Sequence, residues 1–121
     1  MTTGRLVVKA TAGEDAKERC AQAFTVAAVA ASSGAEVSLW LTGEASWFAL
    51  PGRAAHFALP HSAPLQELLD AVLAAGSVTL CTQCAARRGI GEDQVIAGIR
   101  LAGAQTFVAE VLTEGTQALV Y

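Results

Sequence analysis

Apolar and polar positions along this chain follow two periods, one typical of strands and the other typical of helices. Short apolar runs over residues 5–10, 35–41 and 77–80 predict three strands. Apolar residues recur at helical spacing over 16–31 and 65–73, which predicts two intervening helices. Strands that alternate with helices are typical of an α/β domain in which helices cover both faces of a mostly parallel sheet.

The residues that flank these helices indicate where each one begins and ends. The sequence Thr11-Ala-Gly-Glu14 matches a capping box, which predicts the start of the first helix. Gly34 is expected to end that helix as a C-terminal glycine. Ser62 is a candidate cap for the second helix, Pro64 is expected in its first turn, and Gly76 is expected to end it.

The last third of the chain predicts two further strands and one more helix. Residues 95–99 predict a fourth strand, and residues 116–121 predict a fifth. Between them, a helix that Gly115 ends is expected to bury five apolar residues against the sheet: Ala104, Phe107, Val108, Val111 and Leu112. Residues 50–64 hold all three prolines and both histidines, and a connection of this length is often functional.

The composition limits the classes of protein to which this chain can belong. Its 121 residues fit one domain, 1–121. Charged residues make up only 16%, against about 25% in ordinary domains, while hydrophobic residues make up 53%. We therefore expect a homo-oligomer that buries part of the apolar surface. The net charge of −3 and the lack of a basic run argue against nucleic acid as a partner.

Neither a membrane segment nor a signal peptide is expected from the sequence. No apolar stretch approaches the ~20 residues that span a bilayer, so we expect no membrane partner. The stretch Met1–Arg5 lacks the charged and apolar regions of a signal peptide, which predicts a cytoplasmic protein. In that compartment the three cysteines argue for reduced, reactive or metal-binding thiols rather than for a disulfide framework.

The cysteine segment after the third strand is the strongest candidate for chemistry. Cys81 and Cys84 are spaced C-x-x-C directly after the strand, at the edge where open α/β sheets place their ligand sites. A helix that begins here would favour a thiolate through its N-terminal dipole, and so would the positive charges of Arg87 and Arg88. A solvated helix face is an equally good interpretation of the two arginines.

Other interpretations of the C-x-x-C pair are structural packing, half of a zinc site and a thioredoxin-like redox site. Zinc usually needs four ligands, and His56 and His61 in the proline-rich connection are the candidates to complete the set. A thioredoxin motif lies early in its chain, follows an aromatic residue and faces a cis-proline, and the present segment fits none of these. We predict no metal and no cofactor, and favour a reactive sulfur site. Cys20, on the apolar face of the first helix, is expected to be a core residue.

The segment Val78-Thr-Leu-Cys-Thr-Gln-Cys-Ala-Ala-Arg-Arg-Gly-Ile90 resembles the motif of the DsrE/DsrF-like family, which includes small sulfur-relay proteins. In that motif a cysteine at a strand end is followed by a few small residues and then by arginine, glycine and an apolar residue. Weaker agreement extends to residues 39–43, 99–104 and 119–121. The resemblance implies a three-layer α/β/α domain with a mostly parallel five-stranded sheet, assembled as a homotrimer or homohexamer.

The resemblance also implies different roles for the two cysteines. In sulfur-carrying relatives one cysteine accepts a sulfane sulfur as a persulfide from a donor and passes it to an acceptor. Cys81 occupies that position when residues are counted back from Gly89. Cys84 is a departure from the relay proteins and is similar to uncharacterised members that carry C-x-x-C. It is therefore a candidate resolving or second thiol, able to form a disulfide with Cys81.

Three further residues are expected beside the cysteines. Gly13, Thr42 and Gly43 follow the first two strands, and the carboxyl ends of parallel strands meet at one edge of the sheet. We expect these residues to shape the floor of a pocket. The functions left open are a persulfide carrier on Cys81, a thiol–disulfide redox protein that uses both cysteines, and an oligomeric module that binds a small ligand at the same edge.

Overall fold

A computed structural model describes residues 4–121, so the first three residues of the N-terminal stretch considered above lie outside the described residues. Five strands form one sheet: β1 (Arg5–Ala10), β2 (Glu36–Leu41), β3 (Ser77–Cys81), β4 (Ile99–Ala102) and β5 (Thr116–Val120). The order across the sheet is β4-β3-β2-β1-β5, and every neighbouring pair is parallel. The predicted α/β class is confirmed, with a fully parallel sheet.

Five α-helices connect the strands: α1 (Lys17–Ser32), α2 (Arg53–His56), α3 (Leu65–Ala75), α4 (Thr82–Arg87) and α5 (Ala104–Val111). Two 3₁₀ segments, Gly43–Ala49 and Glu92–Gln94, complete the connections. Helices α1 and α3 pack against each other over β1, β2 and β3 on one face of the sheet. Helix α5 crosses the opposite face, where Phe107 contacts Trp40 of β2. The three-layer arrangement follows from this distribution of helices.

The face covered by α1 and α3 holds the main apolar core. Phe24 of α1 is fully buried and meets Phe48 of the first 3₁₀ segment edge to face, with ring centroids 5.9 Å apart. Phe48 in turn meets Phe57, at 5.6 Å. Burying one such aromatic or aliphatic side chain contributes about 1.5–3 kcal/mol to stability. This chain of rings fixes the 3₁₀ segment, and with it the loop after β2, to the body of the domain.

The face covered by α5 is more polar than the sequence predicts. Val108 and Leu112 are 49% and 78% exposed, so the expected apolar contact of these two residues with the sheet is wrong. The buried residue of α5 is Glu110, whose carboxylate accepts hydrogen bonds from Ser38 at 2.6 Å and from Trp40 at 3.1 Å. Arg100 also binds this carboxylate. Because these polar partners satisfy Glu110, the helix directs this carboxylate as well as Phe107 toward the sheet, and Val108 lies outward.

The expected helix caps differ from those observed. Helix α1 begins at Lys17 with Ala16 as its N-cap, and no side chain caps it, so the predicted capping box is wrong. The sequence before it forms a tight turn instead, in which the N–H of Gly13 donates to Asp15 Oδ1 at 2.8 Å. Pro64 rather than Ser62 is the N-cap of α3. Gly34 and Gly76 end their helices as expected.

The fourth strand lies later in the chain than the sequence predicts. Residues 95–98 are a connection in which the N–H of Ile96 donates to the carbonyl of Ala49 at 2.9 Å. A turn with Gly98 at φ +96° follows, and only then does β4 pair with β3, Ile99 opposite Val78. The apolar run therefore packs on the first 3₁₀ segment rather than entering the sheet. No helix within residues 4–121 is long and apolar enough to cross a bilayer.

Candidate functional site

Strand β3 carries Cys81 to the carboxyl edge of the sheet, where the residue is also the N-cap of α4. Val78 and Leu80 point into the main core, so alternation along the strand directs Cys81 to the face covered by α5. There it opens into a cavity of about 360 Å³ between that edge and α5. Ten residues line this cavity: Lys9, Thr11, Trp40, Thr42, Gly43, Cys81, Gln83, Cys84, Ala104 and Phe107.

The surroundings of Cys81 lower the pKa of its thiol. Burial is the largest single influence and by itself raises the pKa. The backbone N–H groups of Cys84 and Gln83 and the thiol of Cys84 donate to the Cys81 sulfur, and each of these hydrogen bonds lowers the pKa. The positive charge of Lys9 lowers it further. The net pKa is below that of an ordinary cysteine, so more of the residue is present as the nucleophilic thiolate.

Cys84 lies in the first turn of α4 and faces the same cavity. The backbone N–H of Gly43 donates to its sulfur at 3.3 Å. All three cysteines of the chain are free thiols, and both Cys81 and Cys84 are partly exposed. The structure therefore brings two partly exposed thiols to one cavity, and the pKa of one of them, Cys81, is lowered.

The turn after β2 forms one wall of the cavity, as the positions of Thr42 and Gly43 predict. The hydroxyl of Thr42 donates to the carbonyl of Ala10 at 2.9 Å, which ties the ends of β1 and β2 together. Gly43 has φ +52°, and a Cβ at this position would lie 2.5 Å from the carbonyl oxygen of Thr11. A glycine is required here by both the backbone conformation and the space.

Gly13 lies behind the cavity rather than on its surface. A Cβ on this residue would lie 2.5 Å from the carbonyl oxygen of Glu44. The loop after β1 and the 3₁₀ segment after β2 consequently pack backbone against backbone. Gly13 therefore supports the turn that carries Gly43, and it does not line the cavity itself.

The two arginines after the cysteines occupy different positions, and neither lines the cavity. Arg88 donates to Glu44 Oε2 through Nε and Nη2, at 3.0 and 2.8 Å, and through Nη1 to the carbonyl of Cys84 at 3.1 Å. It therefore joins the end of α4 to the 3₁₀ segment. Arg87 is exposed on the surface of α4. The cation that lowers the Cys81 pKa is Lys9 of the first strand, on the other side of the cavity.

Sequence reasoning missed six of the ten cavity residues: Lys9, Thr11, Trp40, Gln83, Ala104 and Phe107. Lys9 is the one polar residue in the apolar run of β1 after Arg5, and it lies next to the carboxyl end of that strand. A lysine near the carboxyl end of an otherwise apolar strand was therefore the sequence signal that could have placed Lys9 at the cavity. Trp40 and Phe107 meet edge to face with ring centroids 5.3 Å apart, and no sequence pattern links two residues so distant along the chain.

The remaining cysteine and both histidines lie away from this site. Burial raises the pKa of Cys20 to about 12, with Glu14 and Asp15 adding to the effect, as expected for a core thiol. His61 borders a separate cavity against α1, and His56 is exposed at the end of α2. Within the described part of the chain, no three histidine, cysteine or acidic residues come together as a metal site would require.

Comparison with known proteins places this geometry in a family. The model of the DsrE/DsrF-like family matches residues 5–120. A search of curated proteins finds no match. The crystal structure of the ychN protein from E. coli is similar, with a TM-score of 0.80 and 20% identity over 98% of this chain and 99% of that one.

Two further solved structures share the fold. A protein of unknown function from Methanobacterium thermoautotrophicum, MTH1491, has a TM-score of 0.73 and 10% identity over 98% of this chain and 99% of that one. A conserved protein of unknown function from Bacteroides thetaiotaomicron, BT1422, has a TM-score of 0.59 and 13% identity over 98% and 95%. The structural matches establish the fold, and the family model, which spans nearly the whole sequence, shows that this chain belongs to the DsrE/DsrF-like family.

Proposed function

We propose that this protein is a cytoplasmic sulfur carrier that holds a sulfane sulfur on Cys81 as a persulfide. The observation that carries the proposal is the Cys81 thiol itself, which has a lowered pKa and opens into a cavity at the carboxyl edge of the sheet. Membership of the DsrE/DsrF-like family supports a role of the sulfur-relay kind. The partners would be a sulfur donor, a sulfur acceptor and further copies of this chain, as a trimer or hexamer.

The loading step is a displacement at sulfur. The Cys81 thiolate attacks the sulfane sulfur of a donor persulfide, R–S–S⁻. A new S–S bond forms on Cys81, the donor S–S bond breaks, and its electron pair leaves on the donor thiolate, R–S⁻. No external oxidant or reductant is needed, because one persulfide is exchanged for another. An acceptor thiolate then removes the outer sulfur by the same reaction.

Cys84 supports a second candidate function, a thiol–disulfide couple. The observation in its favour is that both cysteines line the same cavity, where the Cys84 side chain is one of the groups that lower the pKa of Cys81. A Cys84 thiolate that attacks the inner sulfur of a Cys81 persulfide forms the Cys81–Cys84 disulfide and releases hydrosulfide. An external thiol must then reduce the disulfide before another cycle. The two functions differ in the fate of the added sulfur, which is retained by a carrier and released by the couple.

Intact-mass spectrometry under non-reducing conditions distinguishes the two functions. Wild-type protein, Cys81→Ser and Cys84→Ser are incubated with an excess of inorganic polysulfide, desalted and measured in parallel. Cys20→Ser is a matched control, because that thiol is buried and has a raised pKa. A carrier gains the mass of one sulfur atom in the wild type, in Cys84→Ser and in Cys20→Ser, and gains nothing in Cys81→Ser.

The other outcomes change the conclusion. Loss of two hydrogens in the wild type, with sulfur retained only in Cys84→Ser, supports the Cys81–Cys84 redox couple. Sulfur retained in Cys81→Ser contradicts Cys81 as the acceptor. If no variant and no wild-type sample changes mass, the reactive-sulfur proposal fails for this donor, and a small-ligand-binding module becomes the better interpretation of the cavity.

A further inference from the structure

The cavity beside Cys81 contains one charged side chain, and that side chain is positive. Of the ten residues that line it, Lys9 is the only one with a formal charge apart from a cysteine thiolate, and none is acidic. The other lining residues are aromatic, small or neutral and polar. A cavity with a single cation favours a ligand that carries negative charge.

The side-chain carboxylates of Glu44 and Glu110 do not neutralise Lys9, because each is engaged elsewhere. Glu44 binds Arg88 at 2.8 Å, on the outer side of the turn after β2. Glu110 binds Arg100 and lies 3.7 Å from Arg5, beneath α5. Among residues 4–121, the ion pairs found leave Lys9 without an acidic partner.

Lys9 is also held in place. Its backbone pairs with both β2 and β5, opposite Trp40 and Val120. Its ammonium lies 4.9 Å from the centroid of the Phe107 ring, a cation–π contact that fixes the side chain against α5. The residue is half-buried, so its charge is screened less than that of a fully exposed lysine. The geometry thus places a fixed positive charge in the cavity that Cys81 lines.

We propose that Lys9 is the substrate-binding residue that recognises a small anionic sulfane-sulfur donor, inorganic polysulfide, in the Cys81 cavity. The proposal rests on the proposed function, because it names the donor class for that persulfide. The Cys81 thiolate and a polysulfide dianion repel each other, and Lys9 offsets this repulsion. Cys81–S⁻ reacts with Sₙ²⁻ to give Cys81–S–S⁻ and Sₙ₋₁²⁻, and the electron pair of the broken S–S bond leaves on the shortened polysulfide, close to the ammonium group.

Two alkylating reagents that differ in charge measure this effect at Cys81. Iodoacetate is an anion and iodoacetamide is neutral, and both attack the same thiolate with the same leaving group. The ratio of their rate constants therefore reports the local potential and cancels the thiolate fraction. Cys84→Ser is the background for every sample, so that the only partly exposed thiol is Cys81. The rate of polysulfide loading, divided by the iodoacetamide rate, is measured on the same samples.

The variants are Lys9→Met, Lys9→Gln and Lys9→Arg, with Lys17→Met as the matched control. Lys17 is the other lysine of the chain, and it lies at the start of α1 in an ion pair with Glu14. Two ratios are expected to fall by roughly threefold or more in Lys9→Met and Lys9→Gln: the iodoacetate rate divided by the iodoacetamide rate, and the polysulfide loading rate divided by the iodoacetamide rate. Lys9→Arg should restore most of each ratio, and Lys17→Met should leave both near those of the Cys84→Ser parent.

Two results would overturn the inference while the proposed function survives. Polysulfide loading with unchanged ratios in Lys9→Met and Lys9→Gln would show that Lys9 does not recognise the anion. An equal fall in Lys17→Met would assign the effect to overall charge. If polysulfide loads neither the wild type nor the Cys84→Ser parent, both the donor assignment and the carrier function fail for polysulfide, whatever the alkylation ratio shows.

Discussion

Gly43→Ala is the substitution whose cost the structure specifies most closely. Gly43 has φ +52°, and its added Cβ would lie 2.5 Å from the carbonyl oxygen of Thr11. The left-handed backbone conformation costs an L-residue about 1–2 kcal/mol. Relief of the clash requires main chain to move on at least one side, and overpacking of this kind costs about 1–3 kcal/mol. We therefore expect a loss of about 2–5 kcal/mol in the free energy of unfolding.

Gly34→Ala separates the two contributions to that cost. Gly34 has φ +92° at the end of α1, and no heavy atom lies within 4 Å of a Cβ placed on it. This variant should lose only the conformational part, about 1–2 kcal/mol. Urea denaturation followed by circular dichroism gives both free energies at a common m-value. Equal losses in Gly34→Ala and Gly43→Ala would refute the reasoning, because they would show that the close approach to Thr11 carries no cost.

The same substitution tests the link between this turn and the cysteines. The N–H of Gly43 donates to the Cys84 sulfur, so displacement of the turn should weaken that hydrogen bond. The iodoacetamide reactivity of Cys84 in a Cys81→Ser background should therefore change in Gly43→Ala and remain unchanged in Gly34→Ala. An unchanged Cys84 rate in both variants would show that the turn moves without carrying its N–H away from the sulfur.

Three further predictions concern other parts of the chain. Burial raises the pKa of Glu110, but hydrogen bonds from its partners outweigh burial and the net pKa is lowered. Its carboxylate therefore stabilises the fold above about pH 5 and loses that contribution as the pH falls through the folded-state pKa. Glu110→Gln should lower the free energy of unfolding by about 1–3 kcal/mol near neutral pH. It should also make that free energy depend less on pH below about pH 5, and an unchanged pH dependence there would contradict the prediction. Cys20, with a pKa of about 12, should stay unmodified by iodoacetamide in the native protein at pH 8 and react after denaturation, so native labelling would count against its burial. Leu112 is 78% exposed. If α5 lies in the interface of a homo-oligomer, Leu112→Glu should lower the mass measured by light scattering, while the thermal stability of the monomer changes little. An unchanged mass would show that α5 lies outside the interface.

The sequence predicts the parts of the fold that depend on local pattern. Strands β1 to β3 lie where the apolar runs predict them, because each run is short and bounded by turn residues. Helix α1 ends as expected because Gly34 adopts the left-handed conformation that ends helices. The position of Cys81 follows in turn, since it depends only on the end of β3.

What the sequence does not predict depends on contacts between distant residues. Residues 95–98 are apolar enough for a strand, but the hydrogen bond from Ile96 to Ala49 draws them onto the first 3₁₀ segment. Glu110 determines which face of α5 points inward, and its hydrogen-bonding partners on β2 and β4 cannot be inferred from helical periodicity. Lys9 belongs to the site for the same reason, because its cavity exists only once β1, β3 and α5 are assembled.

The pairing of β5 with β1 has a consequence for the order in which the molecule folds. Thr11 donates to the carbonyl of Tyr121, a residue 110 positions away, and such non-local contacts form late because of the entropy lost in closing long loops. Strands β1 to β3 with α1 and α3 make a nucleus from nearer neighbours, so α5 and β5 are expected to dock last. Until they do, Cys81 lies on an uncovered sheet without the Phe107 wall. The cavity beside Cys81 is therefore complete only in the finished fold, and fraying of α5 alone would open it while most of the sheet stayed intact.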